Sequence, residues 1–173
     1  TLSGIPSIIY GLFGSLFFVK YARFGLSLLS GGITLSIMIL PLIMRTTEEA
    51  LLSVPDGYRE GAFALGAGKL RTIFRIVLPS AIPGIFSGVI LAIGRIIGES
   101  AALIFTAGTV AEVARSVFSS SRTLAVHMYA ISGEGLYLNQ TYATAVVLLV
   151  LVIGINVLSG FVARRLGSEM SDE

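Results

Sequence analysis

Cysteine and tryptophan are absent, histidine occurs once, and charged side chains make up only 13% of the 173 residues. Without cysteine there is no disulfide framework from which a redox compartment could be read. The formal net charge of +2 is small and its carriers are scattered, so there is no basic stripe of the kind that binds nucleic acid. No nucleic-acid partner is expected. So low a charge content, beside 54% hydrophobic residues, also excludes an ordinary soluble globular domain of this length and places the chain in a bilayer. There is no initiator methionine, basic n-region or small-residue cleavage site ahead of the first apolar run. The chain therefore reads as a piece of a longer protein. No internal repeat or low-complexity tract is found.

What the sequence does have is uncharged runs of bilayer length. A hydrocarbon core of about 30 Å takes roughly 20 apolar residues in a helix, and four windows qualify. Residues 1–19 form the first, broken by Gly4, Pro6, Gly11 and Gly14, so that the helix is expected to start after Pro6, giving a span of 6–20. Residues 24–44, "FGLSLLSGGITLSIMILPLIM", are uncharged throughout, and a packed bundle tolerates their Gly31-Gly32 and Pro41. The third window is uncharged over 76–94; its helix is expected to begin near Pro83 and to pass Arg95 and Glu99 toward Phe105, giving a span of 83–105. The fourth, 141–163, is closed by Arg164-Arg165, and residues 166–173 read as a solvated tail. The fold class is all-α: a polytopic membrane bundle with four visible spans, occupying residues 1–165.

Loop charge orients such a bundle. Placing the loop of 53–79 inside puts Arg45, Arg59, Lys69, Arg71, Arg75, Arg164 and Arg165 on the cytoplasmic side, against Lys20, Arg23, Arg115 and Arg122 outside. The outer segment of about 108–140 is mixed in character and a candidate for short interfacial or re-entrant helices.

The inner loop contains "REGAFALGAGKLRTIFRIVLP", residues 59–79, the most charged stretch between apolar runs. Ser53, Pro55 and Asp56 form a variant capping box ahead of a short helix from about Pro55 to Leu65. Gly66 and Gly68 each cost about 1 kcal/mol in a helix interior, so a bend is expected there. Beyond it, at about 100° per residue, Leu70, Ile73, Phe74, Val77 and Leu78 share one half of a helical wheel while Lys69, Arg71, Thr72 and Arg75 share the other. Only Ile76 breaks the pattern. Pro79 and Pro83 are expected to stop this helix and open the next. An amphipathic helix lying on anionic headgroups satisfies the same periodicity. A phosphate-cradling loop does not, because Phe63 stands where its first Gly belongs and Leu70 follows Lys69 in place of Ser or Thr.

Glu60-Gly61-Ala62, three residues, Gly66, nine residues, Ile76, one residue and Leu78-Pro79: this spacing resembles the EAA loop of ATP-binding-cassette importer permeases, with Gly61 where the family usually has Ala. The resemblance implies a type I, MetI-like importer fold in which the loop docks on a separate ATPase. Glu60 would meet a cation of the ATPase, Ala62 and Gly66 would allow close helix approach, and Leu78-Pro79 would join the loop rigidly to the next span. "IPSIIYGLFG" (5–14), "GRIIGESAALIFTAG" (94–108) and "TLAVHMYAISGEG" (123–135) are similar to the PstA-type phosphate permeases, over residues from near 1 to about 165. That resemblance implies two copies of an ATP-binding subunit, a second PstC-like permease, an external phosphate-binding protein and a bacterial inner-membrane location. It also implies two further N-terminal helices beyond the four spans. ATP and Mg would sit on the ATPase. On this resemblance the chain itself is expected to bind no cofactor or metal, to have no catalytic residue and not to be an enzyme.

Arg95 and Glu99 lie four residues apart in the third span, where either charge costs roughly 2.5–3.5 kcal/mol at the bilayer centre and must face protein or water. One reading is a mutually neutralised pair that serves helix packing. The other is a substrate pathway: the guanidinium fork matches a tetrahedral oxyanion, and Glu99 holds Arg95 when no anion is present. Sulfate, molybdate or a phosphonate would fit the same fork. A secondary carrier, or a scaffold whose basic loop binds lipid, are alternatives that leave the loop spacing unexplained. His127 reads as a packing or surface residue, and Asn139-Gln140-Thr141 as a chance match to a glycosylation sequon.

Overall fold

The structure, a computed structural model, describes residues 4–135 and 137–169, with side chains for all of these except Glu134 and residues 162–169. Among the described residues every regular element is helical. In chain order they are α1 (Ser7–Gly14), which widens into a π-helical segment at Ser15–Tyr21; α2 (Leu28–Leu52); α3 (Asp56–Ala64); α4 (Lys69–Thr72), followed by a π-helical segment at Ile73–Val77; α5 (Leu78–Ile97); α6 (Ala101–Thr106); α7 (Leu124–Glu134); and α8 (Leu138–Glu169). Three stretches are long and apolar enough to cross a membrane: Leu28–Leu52, Lys69–Ile97 and Leu138–Phe161. The window expected at 6–20 is the shorter apolar helix Ser7–Tyr21.

The second and third expected spans have other bounds than those observed. Pro79 and Pro83 do not divide the third span, because Lys69–Ile97 is one continuous helix. The π-helical turn directly before Pro79 gives the reason. Leu78 N–H reaches back five residues to the Ile73 carbonyl, and such widening makes room for a proline ring that would clash in a regular turn. Ser80 and Ser87 donate their hydroxyls to the carbonyls of Ile76 and Pro83, at 2.7 and 3.0 Å, adding side-chain bonds along the proline-bearing stretch. At its other end this helix stops at Ile97, short of Glu99 and Phe105. The second expected span, 24–44, is likewise shifted: α2 begins at Leu28, after a tight turn in which Arg23 and Gly25 have positive φ, and continues to Leu52.

The chain divides into two compact units, residues 1–41 with 94–154 and residues 42–93 with 155–173. The first is built on small residues. An added Cβ on Gly11 of α1 would stand 2.8 Å from Ala102 Cα in α6, and one on Gly14 would overlap Thr34 and Thr106. Close backbone approach of this kind drives helix association in lipid, where burial of apolar area no longer does. Leu103, Ala107 and Val126 form its core, with Leu35 and Ile104 against them. The buried hydroxyls are all bonded: Ser30 donates to the Gly25 carbonyl (2.9 Å), Thr34 to Ser30 (2.8 Å) and Thr106 to Ala102 (2.7 Å). Backbone N–H groups of Ser27, Leu28 and Leu29 at the start of α2 donate to the carbonyls of Thr106, Ser119 and Val117, which satisfies donors that a helix start leaves open. The outer segment contributes an irregular stretch and then α7, capped by the Thr123 hydroxyl and closed by Gly135 at φ +67°.

In the second unit the end of α2 packs on the start of α5. Ala50, Val54, Val77 and Ala81 form the core, and Gly84 lets α5 approach, since a Cβ there would lie 2.8 Å from that of Ala50. α8 is different from both. It carries apolar side chains on every face, and only 6% of its most apolar window is buried; a helix of that kind is suited to lipid or another chain on all sides. Its backbone remains helical past Arg164-Arg165 to Glu169, so the tail expected from residue 166 begins inside the helix. The side chains of Arg164 and Arg165, and residues 170–173, lie outside the described residues.

Candidate functional site

The loop of 53–79 lies wholly within the second unit. α3 occupies nearly the span expected for it, with Pro55 as its N-cap. The variant capping box is not made: Ser53 donates its hydroxyl backwards to the Ala50 carbonyl at 2.8 Å, and Asp56 pairs with Arg59 at 2.5 Å. Pro55 stands at the cap itself, which leaves Ser53 two residues too early to reach the first turn.

The bend falls where the glycines place it. Gly66 N–H donates to the Phe63 carbonyl at 2.9 Å, Ala67 N–H donates to Ala62 at 3.0 Å, and Gly66 has φ +81°. This is the Schellman arrangement, in which the left-handed residue is almost always Gly. Nothing lies within 4 Å of a Cβ built on Gly66 or Gly61. Within this chain Gly66 is therefore required by its backbone conformation and not by close helix approach, and Gly61 costs the packing nothing where Ala is usual. Ala62 is buried at 5% exposure. Glu60 is exposed and, among the described residues, is in no ion pair. Around it Tyr58, Phe63, Leu65, Leu70 and Phe74 are exposed. Ile76 lies in the π-helical turn, and Leu78-Pro79 begin α5, half-buried.

Sequence reasoning passed over Arg59, which the structure places at the junction. Its Nη2 donates to the Leu51 carbonyl at 2.8 Å and its Nη1 to the Val54 carbonyl at 3.1 Å, in addition to the Asp56 carboxylate. The signal available was a cation one turn into a helix that follows another helix's end across a short connector.

Arg95 and Glu99 lie in the first unit. Arg95 is exposed in the last turn of α5, Glu99 is half-buried after it, and they are not paired. The expected i, i+4 geometry requires a continuous helix, and the helix is interrupted at 98–100. Gly98 is a poor helix former, and Glu99-Ser100 lead into α6 with Ser100 at its N-cap. Glu99 Oε1 instead accepts the Ala102 N–H of α6 at 3.2 Å. One carboxylate thus fixes the start of α6, and Arg95 is left with no carboxylate or hydrogen-bond partner among the described residues. His127, with Arg122 and Glu112, lines an open cleft of about 440 Å³ between the irregular outer stretch and α7. Thr141 of the sequon lies inside α8 and donates its hydroxyl to the Tyr137 carbonyl at 3.0 Å.

Three helices of membrane length among the described residues, with a bent, capped and partly apolar segment between two of them, define a polytopic membrane protein. Residues 1–171 match the family of binding-protein-dependent transport system inner membrane components, and the chain belongs to that family. It is a multi-pass inner-membrane protein of the transport-permease kind. A probable ABC transporter permease protein, YqgI, of Bacillus subtilis (strain 168) is 38% identical over 148 residues, covering 78% of this chain and 50% of the relative. The phosphate transport system permease protein PstA of Mycobacterium leprae (strain TN) is 36% identical over 170 residues, covering 95% of this chain and 56% of the relative. Phosphate transport system permease protein PstA 2 of Mycobacterium tuberculosis (strain CDC 1551 / Oshkosh) is 48% identical over 107 residues, 62% of this chain and 36% of the relative. The chain spans about half the length of the first two of these relatives. No solved structure matches it.

Proposed function

We propose that this chain forms part of the membrane-spanning permease subunit of an ATP-driven importer of inorganic phosphate, and that its loop of 53–79 takes up the motion of a separate ATPase. The observation that carries the reading is the 36% identity, over 95% of the chain, to a protein named as a phosphate transport permease. The loop supports it independently: α3 holds an exposed Glu60, in no ion pair among the described residues, among exposed apolar side chains, a surface ready for a partner with a cation and an apolar groove. The partners on this reading are two ATP-binding subunits carrying ATP and Mg, a PstC-like second permease, and a phosphate-binding protein on the outer face. Closure of the ATPase pair on ATP would pull the loops together on the cytoplasmic side and turn the membrane helices from inward-open to outward-open.

Arg95 has a part in this reading as the residue that meets the anion. Among the described residues it has no carboxylate within ion-pair distance, and its fork fits two oxygens of a tetrahedral oxyanion, which a lysine ammonium cannot do. The test is reconstitution of the full-length permease with its ATPase, second permease and binding protein in liposomes. ATP-dependent uptake of phosphate that excess sulfate, molybdate or phosphonate leaves in place is the expected result. Uptake of one of those anions in preference would reassign the substrate, and uptake without ATP would reject the importer reading.

A further inference from the structure

The end of α2 accounts for its carbonyls one by one. The Glu49 carbonyl accepts the Ser53 N–H at 3.0 Å, the Ala50 carbonyl accepts the Ser53 hydroxyl at 2.8 Å, and the Leu51 carbonyl accepts Arg59 Nη2 at 2.8 Å. The first two partners belong to the connector that leaves the helix. The third comes from inside α3. The same guanidinium reaches the Val54 carbonyl, and Val54 is itself 5% exposed and packed with Ala50, Val77 and Ala81. We propose that Arg59 is a positioning residue for coupling: it locks α3 to the carboxyl end of α2, and through Val54 to the start of α5, so that a push on α3 moves two membrane helices together.

Three properties favour this role over a surface ion pair. The Arg59 side chain is 27% exposed whereas its Asp56 partner is 82% exposed, so the guanidinium that reaches the carbonyls is sheltered while the carboxylate stands in the open. A cation at the last turn of a helix also meets the negative end of its dipole. Finally, one planar fork reaches two carbonyls on different turns of chain at once, which a single ammonium cannot do with the same fixed geometry. Without it, α3 would be held to α2 only by the short connector and by the small core around Val54. Motion at α3 would then be lost in that hinge.

This inference rests on the coupling loop proposed above. Its test uses the full-length permease in the assembled transporter, in liposomes, and reads phosphate taken up per ATP hydrolysed, a ratio that does not depend on how much protein is folded. Arg59→Ala is expected to retain the ATPase subunit and ATP hydrolysis while the ratio falls about tenfold. Arg59→Lys should fall by a smaller factor, and Asp56→Asn, which removes only the charge of the exposed contact, should stay within about twofold of the parent. A parental ratio in both Arg59 variants would overturn the inference. So would failure of both variants to assemble, since Arg59 would then be a folding residue. A parent that recruits no ATPase would count against the proposed function itself and is distinguished by requiring no variant.

Discussion

Substituting Gly11 by Ala tests whether the first unit is built on backbone approach. The added Cβ would lie 2.8 Å from Ala102 Cα and 3.2 Å from the carbonyl oxygens of Ala101 and Ala102. Carbon atoms rest at about 3.5–4.0 Å, so α1 and α6 must separate by roughly 0.7 Å or more. All three neighbours are backbone atoms, and no side chain can rotate out of the way. Forcing a methyl group into such a contact costs about 1–3 kcal/mol, while Ala gains about 1 kcal/mol over Gly as a helix former. Crowding is thus expected to match or outweigh propensity. Gly32→Ala is the matched comparison: it is also inside a helix, and nothing lies within 4 Å of its Cβ. The propensity gain cancels between the two variants, leaving the crowding term of about 1–3 kcal/mol, or roughly 2–12 °C in melting temperature for a chain of this size. Thermal loss of helical circular dichroism, measured on both variants in the same detergent, gives the difference. Gly11→Ala melting at or above Gly32→Ala would refute the close approach of α1 and α6.

Three further outcomes are expected. Arg95→Lys should reduce phosphate uptake by the reconstituted transporter and Arg95→Ala should abolish it, with ATP hydrolysis persisting in both; full uptake in both would remove Arg95 from the pathway. Gly66→Ala should cost about 1–2 kcal/mol at the left-handed position and Gly66→Asn less; the readout is faster hydrogen exchange at the Ala67 amide, and unchanged exchange in both variants would contradict the Schellman cap. Glu99→Ala should loosen the start of α6 by about 0.5–2 kcal/mol, as loss of a cap does, while Glu99→Gln keeps an acceptor and most of the stability; equal stability of the two would mean the bond to Ala102 contributes nothing.

Much of the architecture was legible because its signals are local or compositional. Uncharged runs marked the membrane-length helices, Pro6 and Pro55 marked the starts of α1 and α3, and Gly66 with Gly68 marked the bend. The third span was misjudged at both ends for one reason. Pro79 and Pro83 are stop signals by propensity, whereas Gly98 is only a weak one, and here the helix absorbs both prolines through a π-helical turn but yields at the glycine. No pattern of single residues foretells that exchange, because it depends on how a widened turn redistributes backbone bonds. The Arg95–Glu99 pairing inherited the error, since its spacing has meaning only on an unbroken helix. Arg59 was missed for a different reason: its partners are backbone carbonyls, which every residue possesses and no sequence displays.

The π-helical turn at Ile73–Val77 also sets a phase. A regular helix turns about 100° with each residue, so the widened turn holds one residue more than an unbroken α-helix would need to bring its two ends into the same facing. Rewinding that turn to regular α-geometry with every residue retained would leave the rod intact but would rotate Lys69, Leu70 and Arg71 by about that angle relative to α5. The segment acts as an escapement: the direction in which the loop presents its charges is stored in one surplus peptide unit, and a helix that shed or moved that surplus would aim the same side chains elsewhere without breaking.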